Sequence, residues 1–575
     1  MTAARTLPQM LADAARGNGG FRFLSESGEE RPRSYAELRD AAAGLGGALR
    51  ARGLRRGDRV ALVIQEPEGF MTAFLGASLA GLVPVPVCPP SSFGAQEAYL
   101  ATTEHVLQAA RVAAVLTAEP LDVVLRDRAR KVGVPLVCRW DELTGPALAG
   151  FEPVSLSEPA FLQFTSGSTA QPKGVVLTHA TLAANTSAIG GPDGLGLSAA
   201  DFGVSWLPLH HDMGLIGMAL SSLAAGITTA IMSPVLFLKR PTEWLKAIHR
   251  FRGTITFAPS FAYDLCLRRV KPADLELLDL SCLRIAGCGA EPVRADTLEA
   301  FAKAFAPAGF QPHAFMPCYG MAEHTLAITF ARLGTPLQVD QISSEALVVR
   351  RRAAPPRGPH ERALRIVNCG RPFPGHEVRI VDEEGLPLPE RAVGEIVARG
   401  PSVMVGYFEQ PEASARTLRD GWLHTGDEGY LSHGELYVCG RQKDIVIVNG
   451  RNFYPEDLEW AVGELSGVRS GNVVALGVGG LGSGERERVV VVVESKGKLP
   501  GSELTLEVRR RIVDSVGLQV DEVVVVPPGT VQRTSSGKVK RSLLKSQYES
   551  GHFRGRPAAP AEPAAQPPVP REALP

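Results

Sequence analysis

The stretch F-T-S-G-S-T-A-Q-P-K-G, Phe164 to Gly174, gathers hydroxyl side chains, small residues and one lysine into a single short segment. Hydroxyls and closely approaching backbone N–H groups donate to phosphate oxygens, and Lys173 adds a positive charge. It is not a Walker A loop, G-x-x-x-x-G-K-[ST], because Gly174 stands where that pattern needs a hydroxyl after the lysine. S-S-G-K-V-K-R, Ser535 to Arg541, fails in the same way, with Val539 following Lys538. Taken alone, either segment reads as a phosphate loop or as an ordinary surface loop. The surrounding chain has to decide.

Upstream of the loop, Tyr35 to Arg52 has helical apolar spacing, and R-V-A-L-V-I (Arg59 to Ile64) reads as a buried strand. A second helical run, F-M-T-A-F-L-G-A-S-L-A-G-L, is followed by the strand candidate V-P-V-P-V. Val112 to Leu116 and Thr254 to Ala258 continue the alternation, which implies largely parallel sheets covered by helices. After about Val378, E-V-R-I-V-D-E-E-G-L-P-L and V-G-E-I-V-A-R-G read as half-buried antiparallel strands. Beyond Gly440 a compact α+β texture begins, with a helix near Pro455 to Leu465 and another through Arg509 to Val516. The expected fold is therefore α/β. Helix-covered sheets and a small β-rich subdomain fill residues 1–440, a small α+β domain 441–550, and a disordered Pro/Ala-rich tail 551–575.

Bulk properties narrow the class. At 575 residues the chain exceeds one ordinary core. Lys+Arg and Asp+Glu balance at 61 each, which argues against a globally basic nucleic-acid binder. Eight scattered cysteines without C-x-x-C suggest neither a zinc ribbon nor a disulfide framework, so a reducing cytoplasm is the expected setting. Met213 to Leu238 carries no charge before Lys239 and is long enough to span a bilayer. Gly, Ser, Thr and Pro interrupt it, so it reads as a buried helix, a turn at Gly226 and a short strand T-T-A-I-M, not a membrane span.

Further motifs accompany the loop in order: W-L-P-L-H-H-D-M-G-L-I-G (Trp206 to Gly217), Y-G-M-A-E (Tyr319 to Glu323), G-W-L-H-T-G-D (Gly421 to Asp427), G-R-Q-K-D (Gly440 to Asp444) and R-T-S-S-G-K-V-K-R (Arg533 to Arg541). Together they resemble the adenylate-forming superfamily of acyl-CoA synthetases, luciferases and peptide-synthetase adenylation domains, over about Leu7 to Lys545. Within it, V-P-V-P-V-C-P-P, the H-H-D motif and Y-G-M-A-E-H-T look like the fatty acyl-AMP ligases. So does the long interval between Tyr319 and Gly370, whose insertion (about 335–368) is expected to hold a short hairpin at Leu347-Val348-Val349.

The resemblance implies ATP and Mg²⁺ as cofactors, a fatty acid substrate, and an acyl carrier protein of a polyketide or peptide pathway as acceptor. It implies that Thr165, Ser166, Gly167, Ser168, Thr169, Lys173 and Gly174 hold the departing pyrophosphate. Tyr319, followed by Gly320 and Met321, would stack on adenine, with Gly289, Ala290 and Glu291 as the pocket edge. Asp427 and Arg441 would fix the ribose hydroxyls, and Glu323 would hold Mg²⁺. His211 would lie near the acyl carboxylate, and Lys538 would pair with charge developing in the transition state. Lys443 would be the hinge of a mobile C-terminal domain, and Ala322 replaces a threonine found in many relatives. The alternatives are an acyl-CoA synthetase on the same fold and a non-catalytic acyl-nucleotide sensor.

Overall fold

The computed structural model describes residues 4–90, 96–165, 172–448, 451–479, 487–497, 499–533 and 539–553. They fall into two compact units, divided after Lys443. The Pro/Ala-rich tail beyond Phe553 lies outside the described residues.

The first unit is built on two parallel-rich sheets and one antiparallel sheet. A nine-stranded sheet has six parallel strands at its centre, in the order Phe315–Gly320, Ile285–Cys288, Ile255–Ala258, Phe202–Ser205, Thr228–Met232 and Gly20–Leu24. A four-stranded parallel sheet joins Val83–Pro86, Arg59–Val63, Val112–Thr117 and Leu136–Arg139. Both follow from the alternation of short apolar runs with helices, since a parallel crossover needs a helix over the sheet face.

Tyr35–Ala51 starts as a helix because Ser34 and Glu37 form a reciprocal capping box. It packs against Pro67–Leu79 at glycines: a Cβ on Gly46 would sit 2.6 Å from the Gly76 carbonyl oxygen. The uncharged stretch also resolves as expected in outline. Met213–Leu220 and Ser221–Ala225 are helical, Gly226 turns at φ +71°, and Thr228–Met232 is a sheet strand. The first of these is wound as a π-helix, a form concentrated at functional sites. No helix among the described residues is long and apolar enough to cross a membrane.

Glu377–Val381, Gly394–Arg399, Leu418–Arg419, Trp422–Ser432 and Glu435–Arg441 form the antiparallel sheet. The segment expected to be an insertion, about 335–368, is anchored on this unit. Val339–Ser343 pairs antiparallel with Ala363–Val367, and Arg365 from the second strand reaches Asp296 and Glu299 on the helix Ala295–Phe305.

One expectation is corrected here. Leu347-Val348-Val349 is not strand: Ser344–Arg350 is a helix, capped by the Ser343 hydroxyl, which accepts the Ala346 N–H at 3.0 Å. Helical geometry turns Leu347 and Val348 inward and leaves Val349 53% exposed.

The second unit places Val468–Val478, Arg488–Ser495 and Glu522–Val526 in one sheet, with helices Pro455–Gly463, Gly501–Val516 and Arg541–Glu549. The helix expected from Arg509 begins a full two turns earlier, after Pro500, because Gly501 to Val508 shares its apolar stripe. Arg541 is the half-buried polar hub of this unit, bonded to Glu459 and to the Ala475 carbonyl at 2.8 Å.

Two outcomes test this packing. Leu347→Ala is expected to cost about 2–5 kcal/mol, and Val349→Ala no more than about 0.5 kcal/mol, in chemical denaturation. Comparable losses at both positions, which share a face in an extended chain, would return the segment to an alternating strand. The second concerns His179, whose Nδ1 accepts the Leu7 N–H at 3.1 Å and whose burial lowers its pKa from 6.5 to about 4. A folded value below the unfolded one means the stability it confers is complete above pH 6.5 and is lost as pH falls toward 4. The urea midpoint should decline across that window, less steeply in His179→Gln. A slope unchanged by that substitution would remove His179 as its source.

Candidate active site

The hairpin Pro159–Phe164 and Gly174–Thr178 carries the quoted loop at its tip, with the Thr165 N–H donating to the Lys173 carbonyl at 3.0 Å. Ser166, Gly167, Ser168 and Thr169 lie outside the described residues, as does Lys538. The Phe408 N–H donates to the Gly174 carbonyl at 2.7 Å, and the Val176 N–H to that of Gly406 at 3.0 Å. This docking sets Tyr407 beside the loop base, where the Lys173 ammonium sits 4.8 Å from the centre of its ring.

Tyr407 then links the loop to Glu323. Its hydroxyl donates to Glu323 Oε1 at 2.8 Å. Burial raises the Glu323 pKa, the Tyr407 bond opposes that shift, and the Asp212 charge adds to it. The turn carrying Glu323 is held from several sides. The Met404 N–H donates to the Glu323 carbonyl at 2.8 Å, and the Thr325 hydroxyl to the Ser402 carbonyl at 2.7 Å. Thr325 has φ +64°, which is costly for a β-branched residue, so its surroundings must over-determine that conformation.

A second cluster forms around Asp427. The Tyr319 hydroxyl donates to Asp427 Oδ2 at 2.8 Å, and Arg441 Nε lies 3.2 Å from Oδ1. Asp427 and Arg441 face each other in the ladder between Trp422–Ser432 and Glu435–Arg441. Burial, and then the Asp427 charge, hold the Tyr319 pKa well above its usual value, so it remains a donor. The Arg441 charge also acts on Glu323, in the direction that lowers its pKa.

Gly289, Ala290 and Glu291 follow the strand next to that of Tyr319. A Cβ on Gly289 would meet Cys318 Sγ at 2.6 Å, and Ala290 has φ +69°. Glu291 Oε1 accepts the Phe261 N–H at 2.7 Å in the first turn of Ser260–Arg269. A Cβ on Gly320 would lie 2.0 Å from the Leu326 carbonyl oxygen, and Met321 packs against the cluster containing Tyr319.

His211 Nδ1 is 2.6 Å from Asp212 Oδ1, and the Gln163 side chain, on the strand leading to the loop, donates to the His210 carbonyl at 2.9 Å. No cluster of three or more His, Cys, Asp or Glu suited to a metal occurs among the described residues. Lys443 lies in the short turn Gln442–Asp444, at the division between the units.

Tyr407 and the Ser402–Met404 segment are not singled out by the sequence, and Asp212 gives only a weak metal signal as part of His210-His211-Asp212. Asp212 sits inside a recognised motif, and its charge acting on Glu323 could have been suspected. Tyr407 has no sequence signal of its own, because only the tertiary pairing brings it to the loop.

The AMP-binding enzyme family model matches residues 11–408. A candidate acyl-CoA synthetase of Caulobacter vibrioides (strain NA1000 / CB15N) is 39% identical, over 95% of this chain and 96% of that protein. The medium-chain fatty acid–[acyl-carrier-protein] ligase JamA of Moorena producens (strain JHB) is 33% identical, over 92% of each. A structure from work on fatty acyl-adenylate ligases of E. coli and L. pneumophila superposes with a TM-score of 0.89. It is 34% identical and covers 95% of this chain and 98% of its own. The chain belongs to the AMP-binding, adenylate-forming enzyme family, as an AMP-forming acid ligase whose relatives there include fatty acyl-AMP ligases.

Proposed function

We propose that the protein is a fatty acyl-AMP ligase. It would activate a medium- or long-chain fatty acid with ATP to acyl-AMP and pyrophosphate, then pass the acyl group to the phosphopantetheine thiol of an acyl carrier partner. The observation carrying this reading is the pairing of the two clusters. Tyr319, Asp427 and Arg441 suit a nucleoside, and Lys173, Tyr407 and Glu323 suit its phosphates.

A carboxylate is a poor electrophile. Its attack on the α-phosphorus of ATP yields a mixed anhydride with AMP as leaving group, which a thiol can then displace. Such a displacement depends mostly on positioning and charge stabilisation. In this reading Asp427, acceptor-only, takes the ribose hydroxyls with Arg441, while Tyr319, Gly320 and Met321 and the edge Gly289–Glu291 frame the adenine. Thr165, Ser166, Gly167, Ser168, Thr169, Lys173 and Gly174 hold the departing pyrophosphate. His211 orients the acid, whose alkyl chain enters beside the apolar helix Met213–Leu220.

Glu323 fits Mg²⁺: it is a buried hard-oxygen donor, and that ion is commonly held by one or two carboxylates together with substrate phosphates. Bound there with the nucleotide, Mg²⁺ supplies charge neutralisation at the phosphate oxygens.

The name of the Moorena relative supports a carrier acceptor, whereas that of the Caulobacter relative favours a second reading, an acyl-CoA synthetase. A product assay offering free CoA and holo carrier protein side by side separates them. Acyl-carrier as the main product is expected, and acyl-CoA alone would establish the second reading. Lys538→Ala should lower acyl-AMP formation by about 10²–10³, the scale for one lost oxyanion-stabilising donor. Transfer from preformed acyl-AMP should fall far less. Equal losses in both half-reactions would contradict the assignment of Lys538 to adenylation alone.

A further inference from the structure

The strand Trp422–Ser432 is irregular where it carries Asp427. Against Gly394–Arg399 its register shifts between Glu395 and Val397, and against Glu435–Arg441 it shifts between Glu428 and Gly429. Gly426 turns at φ +68° within this stretch. A ladder broken on both sides leaves the direction of its side chains to other contacts.

The neighbouring strand supplies some of these, with the Thr425 hydroxyl donating to the Ile396 carbonyl at 2.6 Å and the Gly426 N–H to Glu395 Oε1 at 3.2 Å, and the segment about 335–368 supplies others. Arg351 grips Glu428 with both guanidinium nitrogens at 2.6 Å, and Glu428 is only 4% exposed. A two-point fork fixes orientation as well as distance. Farther along the strand, the Tyr430 hydroxyl donates to Asp340 at 2.7 Å. Arg391 bridges Asp340 (2.8 Å), the Ser432 hydroxyl (3.0 Å) and the Ala353 carbonyl. Glu428, Tyr430 and Ser432 alternate along the strand and so share one face, while Asp427 projects from the other toward Tyr319.

Arg351 itself is well held. It caps the helix Ser344–Arg350 in the left-handed conformation at φ +51°, and its carbonyl accepts the Val393 N–H at 2.9 Å. The next residue, Arg352, bridges to Ala392.

We infer that Arg351 is a positioning residue for nucleotide binding: its fork on Glu428 holds one face of the irregular strand so that Asp427, on the other, stays aimed at the ribose. This rests on the assignment of Asp427 to the ribose made above. The inserted segment thereby becomes part of the adenylating machinery and not only a feature added to its surface.

The test is calorimetric titration of the full chain with ATP alone, alongside thermal melting. Arg351→Met keeps the aliphatic stem and the same left-handed strain, and should weaken ATP binding about tenfold, within the coupling expected of neighbours in one network. Arg351→Lys, with one-point contact, should fall between it and the unaltered chain. Arg351→Met combined with Glu428→Gln also removes the buried charge that Arg351 grips, so the melting temperature should recover while ATP affinity does not. Normal ATP affinity in the folded double variant would overturn the proposal and leave the pair a stability element. Asp427→Ala serves as the reference: weakened binding there with unchanged binding in the Arg351 variants defeats only the brace. Unchanged binding in Asp427→Ala defeats the ribose assignment and the brace with it.

Discussion

A buried carboxylate enclosed by hydrogen-bond donors governs the architecture around Asp427. Taking such a group from water is costly unless donors surround it. Here the donors come from two sheets: Tyr319 at the end of a parallel strand, and Arg441 on an antiparallel one. Satisfying one aspartate therefore ties the nine-stranded sheet to the β-rich sheet and leaves polar groups converging where they meet. Glu323 repeats the logic four residues after Tyr319, with Tyr407 as donor and the docked loop hairpin as scaffold. Both acids accept from tyrosine hydroxyls whose pKa burial raises, so these donors keep their protons.

Much of this was legible in the sequence because local pattern and tertiary role coincide. Short apolar runs such as Arg59–Val63 and Ile255–Ala258 can satisfy their backbone only inside a sheet, and the helices between them dictate parallel pairing. Asp427 and Arg441 were readable as partners because both lie in short motifs, yet their facing ladder positions come only from the fold.

Where local signals conflict, reading fails in an instructive way. Leu347-Val348-Val349 is β-branched enough to suggest a strand, but Ser343 before it supplies a helix cap, and the cap prevails. Weighing the S-S-E-A-L sequence as an N-terminal signature would have found the helix. The Arg351–Glu428 fork was beyond reach, since nothing local joins positions 77 residues apart. Tyr407 was hidden for the same reason.

The central claim is that these clusters serve adenylation of a fatty acid. ATP–pyrophosphate exchange, measured with a panel of straight-chain fatty acids and without CoA or carrier protein, tests it most directly. The account predicts Mg²⁺-dependent exchange that appears only when a fatty acid is added, with AMP as the nucleotide product of turnover. Absence of exchange across the panel, or release of ADP and orthophosphate instead, would contradict it.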